Sequence, residues 1–189
     1  MEVLEAIKTR RSIRKYKATP VDNKAIELVL EAARWAPSWA NTQCWRFIVV
    51  RDSEVKNKLA DTLIGASDRP NRAAEAVRNA PVVIVACAEM GKSGYSVRES
   101  SKPVTDKGDW YMFDVALAMQ NLTLAARSLG LGTVHVGAFD AGEAASALEI
   151  PEGFCVVEMT PLGYPDEEPK IRPRKELPEI VSYDKFGGK

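Results

Sequence analysis

The chain has 189 residues, with 26 Lys and Arg against 26 Asp and Glu, 46% apolar residues and 28% charged ones. This is the composition of a folded globular chain of one-domain size, and it excludes a disordered polyampholyte and a disulfide-stapled miniprotein. Zero net charge excludes a broadly basic nucleic-acid binder, and the longest apolar run, Tyr111 to Ala126, is interrupted by Asp114, so no membrane span is expected.

In chain order, Val3, Leu4 and Ile7 share one face of a short helix, followed by a basic octet, Arg10-Arg11-Ser12-Ile13-Arg14-Lys15-Tyr16-Lys17. Asp22 caps a second helix that must stop near Ala36, because Pro37 disfavours helical dihedrals before it. Residues 37–44 read as a loop and Trp45–Val50 as a strand. Asp52 or Ser53 opens a third helix, and a short one spans 71–79. Val82–Ala88 is continuously apolar, the pattern of a strand buried on both faces. Residues 89–108 show no periodicity and read as a lid or binding segment.

A long helix follows over 109–129, with Phe113, Ala116, Leu117, Gln120 and Leu124 at helical spacing and Gly130 as its stop. It is apolar nearly all round and is therefore expected to be covered on several sides. Met112 and Met119 belong either to the core or to an interface between copies. Thr133–Val136 is a short strand, Asp140 with Glu143 starts another helix, and Phe154–Pro161 is a strand. Pro165, Pro169, Pro173 and Pro178 leave residues 164–189 as an extended C-terminal arm on a single domain.

Three features carry chemistry. Arg10 and Arg14 share a side whether that segment is helical or extended, with Ser12 between them on the same face if it is extended, and guanidinium forks suit phosphate. A second basic cluster, Lys170-Ile171-Arg172-Pro173-Arg174-Lys175, lies far away in sequence and could converge on the same anion. Removing both clusters leaves 17 bases against 26 acids, a net of −9 for the remainder, so neutrality is an average over an acidic body and two basic segments. In the loop Pro37-Ser38-Trp39-Ala40-Asn41-Thr42-Gln43-Cys44, amides beside indole suit a planar heterocycle; turn chemistry and core tryptophans explain it equally well.

The octet with Pro20-Val21, the Ala36–Gln43 loop, Gly130-Leu131-Gly132, Gly163-Tyr164-Pro165 and the Arg172–Lys175 stretch together resemble the nitroreductase family of flavin enzymes. The resemblance runs over essentially the whole chain. It implies an α+β, three-layer fold with a central, mainly antiparallel sheet flanked by helices, and a homodimer with FMN at the subunit interface. It implies NADH or NADPH as hydride donor and nitro compounds, quinones or related acceptors in a ping-pong cycle. The same fold used for reductive dehalogenation or flavin breakdown, or a non-catalytic flavin-binding protein, is the alternative.

Residue by residue, the resemblance assigns Arg10, Arg11, Ser12 and Arg14 to the flavin phosphate and pyrimidine edge, with Arg11 or Arg14 as electrostatic support for the reduced ring. Pro37, Ser38, Trp39 and Asn41 fall in the loop that reaches the partner's flavin. His135, Val136, Gly137 and Ala138 form the turn whose backbone lies near N5, with an N–H of Val136, Gly137 or Ala138 as donor. Arg172 and Arg174 complete the phosphate site.

Cys44 stands where the family commonly has proline, so its thiol could face the site, whereas Cys87 and Cys155 sit in apolar strands and are expected to be inert. His135, the only histidine, excludes a His-rich metal site and is expected to be packed or backbone-bonded. No metal is implied. No nucleic-acid or membrane partner is expected, and an N-terminus without a signal pattern, with three unpaired cysteines, points to the cytoplasm.

Overall fold

Val82–Glu89 takes the centre of the sheet because nothing along it needs water. From Val82 to Ala88 every residue is buried, and successive side chains enter opposite layers. A computed structural model describes residues 1–65, 70–96 and 102–188. Its elements are α1 (Val3–Thr9), α2 (Asn23–Arg34), a 3-10 turn (Trp39–Asn41), β1 (Trp45–Val50), α3 (Ser53–Asp61), α4 (Arg72–Asn79) and β2 (Val82–Glu89). They continue with α5 (Tyr111–Ser128), β3 (Gly132–Thr133), α6 (Ala141–Ala147), β4 (Phe154–Gly163) and α7 (Leu177–Ile180).

The four strands run in the order β1-β2-β4-β3, every neighbouring pair antiparallel. Ile84 and Ala86 enter one core with Val29 and Ala33 of α2 and Val115, Met119 and Leu122 of α5. Val83, Val85 and Cys87 enter the other, with Leu59 of α3, Val77 of α4 and Ala144 of α6. This is the expected three-layer α+β arrangement. Each fully buried Val, Leu or Ile contributes about 1.5–3 kcal/mol, so both layers are held mainly by apolar burial. Between Ala86↔Glu158 and Cys87↔Val156 the register skips Val157, a bulge in β4.

Local signals set the helix starts. Asp22, Asp52, Asn71 and Asp140 each accept backbone N–H groups from the first turn of α2, α3, α4 and α6. The strand expected over Thr133–Val136 is shorter: β3 covers Gly132–Thr133, and Val136 forms an isolated bridge with Met159. Between Asp166 and Gly188 the one regular element is the four-residue helix α7, which the proline spacing did not announce, and Leu177, Ile180, Tyr183 and Phe186 are exposed.

Two expected apolar faces turn outward. Val3, Leu4 and Ile7 of α1 are exposed, and only Ala6 is buried. In α5 the buried stripe is Asp114, Val115, Ala118, Met119, Leu122, Thr123 and Ala126. Phe113 is 55% exposed and Met112 57%, with Ala116 and Gln120 also outside. A helix that is apolar nearly all round offers two candidate stripes, and its periodicity does not say which one meets the sheet. Among the described residues no helix is long and apolar enough to cross a membrane.

Candidate active site

The basic octet is extended, not helical. Arg10 already has φ −61° and ψ 143°, and Ser12 forms a parallel bridge with Thr133 through Ile13 N–H donating to Thr133 O at 2.9 Å. Ile13 therefore points inward and packs on Gly132, where an added Cβ would lie 2.7 Å from Ile13 Cγ1. Tyr16 anchors the far end, its hydroxyl shared between the Ile13 carbonyl at 2.5 Å and the Pro161 carbonyl at 3.3 Å. Burial pushes its phenol pKa well up, so it stays neutral and a donor.

The distant basic cluster comes to the same place. A cleft of about 940 Å³ is lined by Arg10, Arg11, Ser12 and Arg14 from the octet, by Lys170, Arg172 and Arg174, and by Lys8, Arg72 and Glu167. Eight basic side chains thus share one cleft with a single carboxylate. Glu167 is spent on the frame: its Oε1 accepts Arg14 N–H at 2.5 Å and Lys15 N–H at 3.2 Å, while Oε2 pairs with Arg72 Nη2 at 3.2 Å. Arg10 donates from Nη2 to Ser12 Oγ at 3.3 Å, yet its Nε is buried with no hydrogen-bond partner among the described residues. Burial lowers the Arg10 pKa, and repulsion from Arg174 and Arg11 adds to it. A buried donor without an acceptor, beside like charges, is chemistry that suits an anion. Arg11 Nη1 donates to the Lys8 and Arg10 carbonyls at 2.8 and 2.7 Å, bonds shorter than the 3.5 Å one from Arg14 Nη1 to the Ser12 carbonyl.

Pro37, Ser38, Trp39 and Asn41 do not line this cleft. Their loop is bent by three non-glycine residues with left-handed φ, Ala40 (44°), Asn41 (56°) and Gln43 (46°), a conformation costing roughly 1–2 kcal/mol per residue. Asp114 holds it. This carboxylate is 1% exposed and accepts Trp39 N–H at 3.1 and 3.2 Å, with Ser93 Oγ at 2.7 Å, Thr42 Oγ1 at 3.5 Å and Cys44 Sγ at 3.7 Å. Ser38 Oγ accepts Gln43 N–H at 3.0 Å. Trp39 packs on Trp110, which packs on Phe113, with ring centroids 5.3 Å apart in each pair. The expectation that the Cys44 thiol could face the site is overturned: Cys44 is fully buried, and burial followed by the Asp114 charge pushes its pKa to about 12.

His135 to Ala138 form the turn between β3 and α6. Val136 N–H donates to Met159 O at 3.0 Å, so it is not free to serve as the donor expected of it. Gly137 and Ala138 are exposed, and their N–H groups donate to no backbone carbonyl among the described residues. His135 is bonded to side chains, not to backbone: Nδ1 lies 2.5 Å from Glu158 Oε1 and Nε2 lies 3.3 Å from Thr123 Oγ1. Thr160 Oγ1 donates to the same Glu158 oxygen at 2.7 Å.

Sequence reading missed Arg72, Glu167 and Asp114. Arg72 and Glu167 gave no distinguishing signal, Arg72 lying in a polar stretch and Glu167 inside the acidic run Asp166-Glu167-Glu168. Asp114 did: it is one carboxylate inside an apolar helix, which burial makes costly unless donors surround it. Of the segment expected to be a lid, residues 97–101 lie outside the described residues; the rest folds back through a Tyr95↔Pro103 bridge.

The family model "Nitroreductase family" matches residues 7–164. A protein of Methanothermobacter thermautotrophicus, provisionally named NADH dehydrogenase/NAD(P)H nitroreductase, is 38% identical over 91% of this chain and 82% of its own length. The crystal structure of a nitroreductase family protein from Clostridium novyi NT superposes with a TM-score of 0.77 at 34% identity, covering 100% of this chain and 96% of the other. An FMN-dependent nitroreductase from Clostridium difficile R20291 gives a TM-score of 0.78 at 26% identity, covering 97% and 99%.

Proposed function

This chain belongs to the nitroreductase family and is an FMN-dependent NAD(P)H oxidoreductase, and we propose that its basic cleft holds the flavin phosphate. The observation that carries the placement is Arg10 Nε, buried with no hydrogen-bond partner among the described residues, in a cleft of eight basic side chains. A phosphate dianion supplies the acceptor that Nε lacks and relieves the repulsion from Arg174 and Arg11. Ser12 Oγ adds a neutral donor, and Arg172 and Arg174 close the site from the C-terminal segment. Arg14, with its main chain fixed by Glu167 and its guanidinium held only by a long 3.5 Å bond to the Ser12 carbonyl, is freer than Arg11 to support negative charge on the reduced ring. Gly137 and Ala138 retain N–H groups able to meet a ring nitrogen.

Bound FMN supplies the chemistry, taking a hydride from the nicotinamide and returning electrons to the acceptor. The chain's own work is to bind, orient and cover. No side chain here is assigned as general acid or base. Donor and acceptor would occupy the site in turn, a ping-pong cycle, with nitro compounds and quinones as suitable acceptors.

One protomer alone does not complete such a site. Arg127 Nε near the end of α5 donates to Thr9 beside Arg10, whereas Asp114 near its start holds Trp39. Thirteen residues at 1.5 Å rise separate these two points by about 20 Å. That separation supports a site in which the cleft of one chain and the Ser38–Gln43 loop of its partner share a flavin. The outward apolar residues of α1 and α5 offer the surface for such a homodimer.

The test is an absorption spectrum of the purified protein, then anaerobic addition of NADPH or NADH. A flavin band that bleaches is the expected result. Colourless protein that gains no chromophore from added FMN overturns the reading.

A further inference from the structure

We infer that Asp114 is a positioning residue for acceptor choice: it locks Trp39 and Trp110 into one aromatic surface that selects planar aromatic electron acceptors. This rests on the flavin reading above and adds the part of the site that faces the second substrate.

The buried end of α5 carries a carboxylate whose contacts are all donors. Trp39 N–H, Ser93 O–H, Thr42 O–H and Cys44 S–H converge on Asp114 from two separate segments of the chain. A carboxylate, with acceptor capacity at both oxygens, meets such a set. Its partners are also the parts that shape the aromatic surface. Ser93 O accepts Trp110 N–H at 3.0 Å, and Gly94 O accepts Val104 N–H at 2.8 Å, so the Ser93 turn seats Trp110. Gly94 has φ +84°, and a Cβ there would lie 2.7 Å from Trp110 Cδ1, so the turn is shaped to the indole. Trp39 is seated from the other side by its own N–H on Asp114. One carboxylate therefore fixes both indoles at 5.3 Å.

The strain argues that this placement is functional. Three left-handed non-glycine residues in the Ser38–Gln43 loop persist only because the surroundings over-determine them, and Asp114 with Ser38 supplies that determination. Trp39 and Trp110 are half-buried and Phe113 is exposed, so the rings are not core filling. Offset and tilted aromatic contacts favour a flat π-system over a compact ion.

The test compares a planar quinone with ferricyanide, which needs no stacking, each with NADPH as donor. Asp114→Asn keeps the volume but turns one acceptor oxygen into a donor. At saturating FMN it is expected to lower the ratio of kcat/KM for the quinone to that for ferricyanide about tenfold, mainly through the quinone KM. The near-ultraviolet circular dichroism of the coupled indoles should weaken in parallel. Trp110→Leu, a change on the surface itself, should reproduce the shift in acceptor ratio and serves if Asp114→Asn does not fold. An equal fall for both acceptors, or an unchanged ratio in both variants, overturns the inference. Wild-type protein that turns over neither acceptor with NADPH or NADH instead refutes the flavin enzyme reading.

Discussion

Replacing Arg10 by Ala separates ligand binding from folding, because the two should respond in different directions. In the ligand-free chain Arg10 keeps Nε buried without a partner and feels Arg174 and Arg11, while its Ser12 contact is long at 3.3 Å. An unsatisfied buried donor costs about 1–3 kcal/mol, against roughly 0.8 kcal/mol for each buried methylene that Ala would lose. Ligand-free stability should therefore change little or rise. FMN affinity should fall, since hydrogen bonds to a charged group are worth about 1.5–3 kcal/mol, or roughly 10- to 150-fold in Kd. At FMN 100 times the wild-type Kd, binding stabilises the wild type by about 2.7 kcal/mol; a 100-fold weaker variant keeps about 0.4 kcal/mol. For a chain of this size the difference is about 5–9 °C of FMN-dependent rise in Tm. Thermal melts with and without FMN, alongside flavin fluorescence titration, measure both quantities. A variant that loses ligand-free stability yet keeps the full FMN-dependent rise would refute the phosphate placement.

Other consequences are as direct. Burial holds the Cys44 thiol at about 12 and the Cys87 thiol at about 11, so a thiol reagent at pH 8 should reach neither in the native protein and both after denaturation. Between about pH 9 and 12 the unfolded chain releases these protons while the native chain keeps them, so stability should decline as pH rises through that window; a flat melting profile there, or native Cys44 labelling, contradicts the burial argument. Gly132→Ala should cost about 1–3 kcal/mol and weaken FMN binding, because its Cβ would press on Ile13 Cγ1 at 2.7 Å and Cβ at 2.9 Å and push the octet off β3. Gly137→Ala, with nothing within 4 Å of the new Cβ, should melt within about 0.5 kcal/mol of the parent; equal losses at the two positions would show that the Ile13 contact does not set the octet.

Legibility followed the range of the interactions. The Asp22 cap, the Trp45–Val50 strand and the doubly buried Val82–Ala88 run depend on residues within a few positions of each other, and each stands where the pattern placed it. α5 was expected to be covered on several sides; both of its stripes are apolar, and only the sheet beneath it decides which one is buried within the chain. In α1 the one apolar stripe, Val3, Leu4 and Ile7, finds no cover within the chain, and only Ala6 is buried. Cys44 and Val136 were offered to the site on their positions in the chain; one is sealed under Asp114, the other donates to Met159.

The residues alone determined most of the helices and strands, α7 and the length of β3 excepted, that two basic clusters stand out from an acidic body, and which family the pattern resembles. They could not determine that these clusters share a cleft. Ile13 meets Thr133, Lys17 meets Tyr164, and Asp166 donates to Lys15, contacts across 120 to about 150 residues with no local trace. The order β1-β2-β4-β3 creates them by placing β4 between strands that precede it, so the C-terminal cations return to the octet. Tertiary structure also made Asp114 legible. A carboxylate in an apolar helix is a liability by sequence, and becomes a fastening only when the folded chain surrounds it with donors.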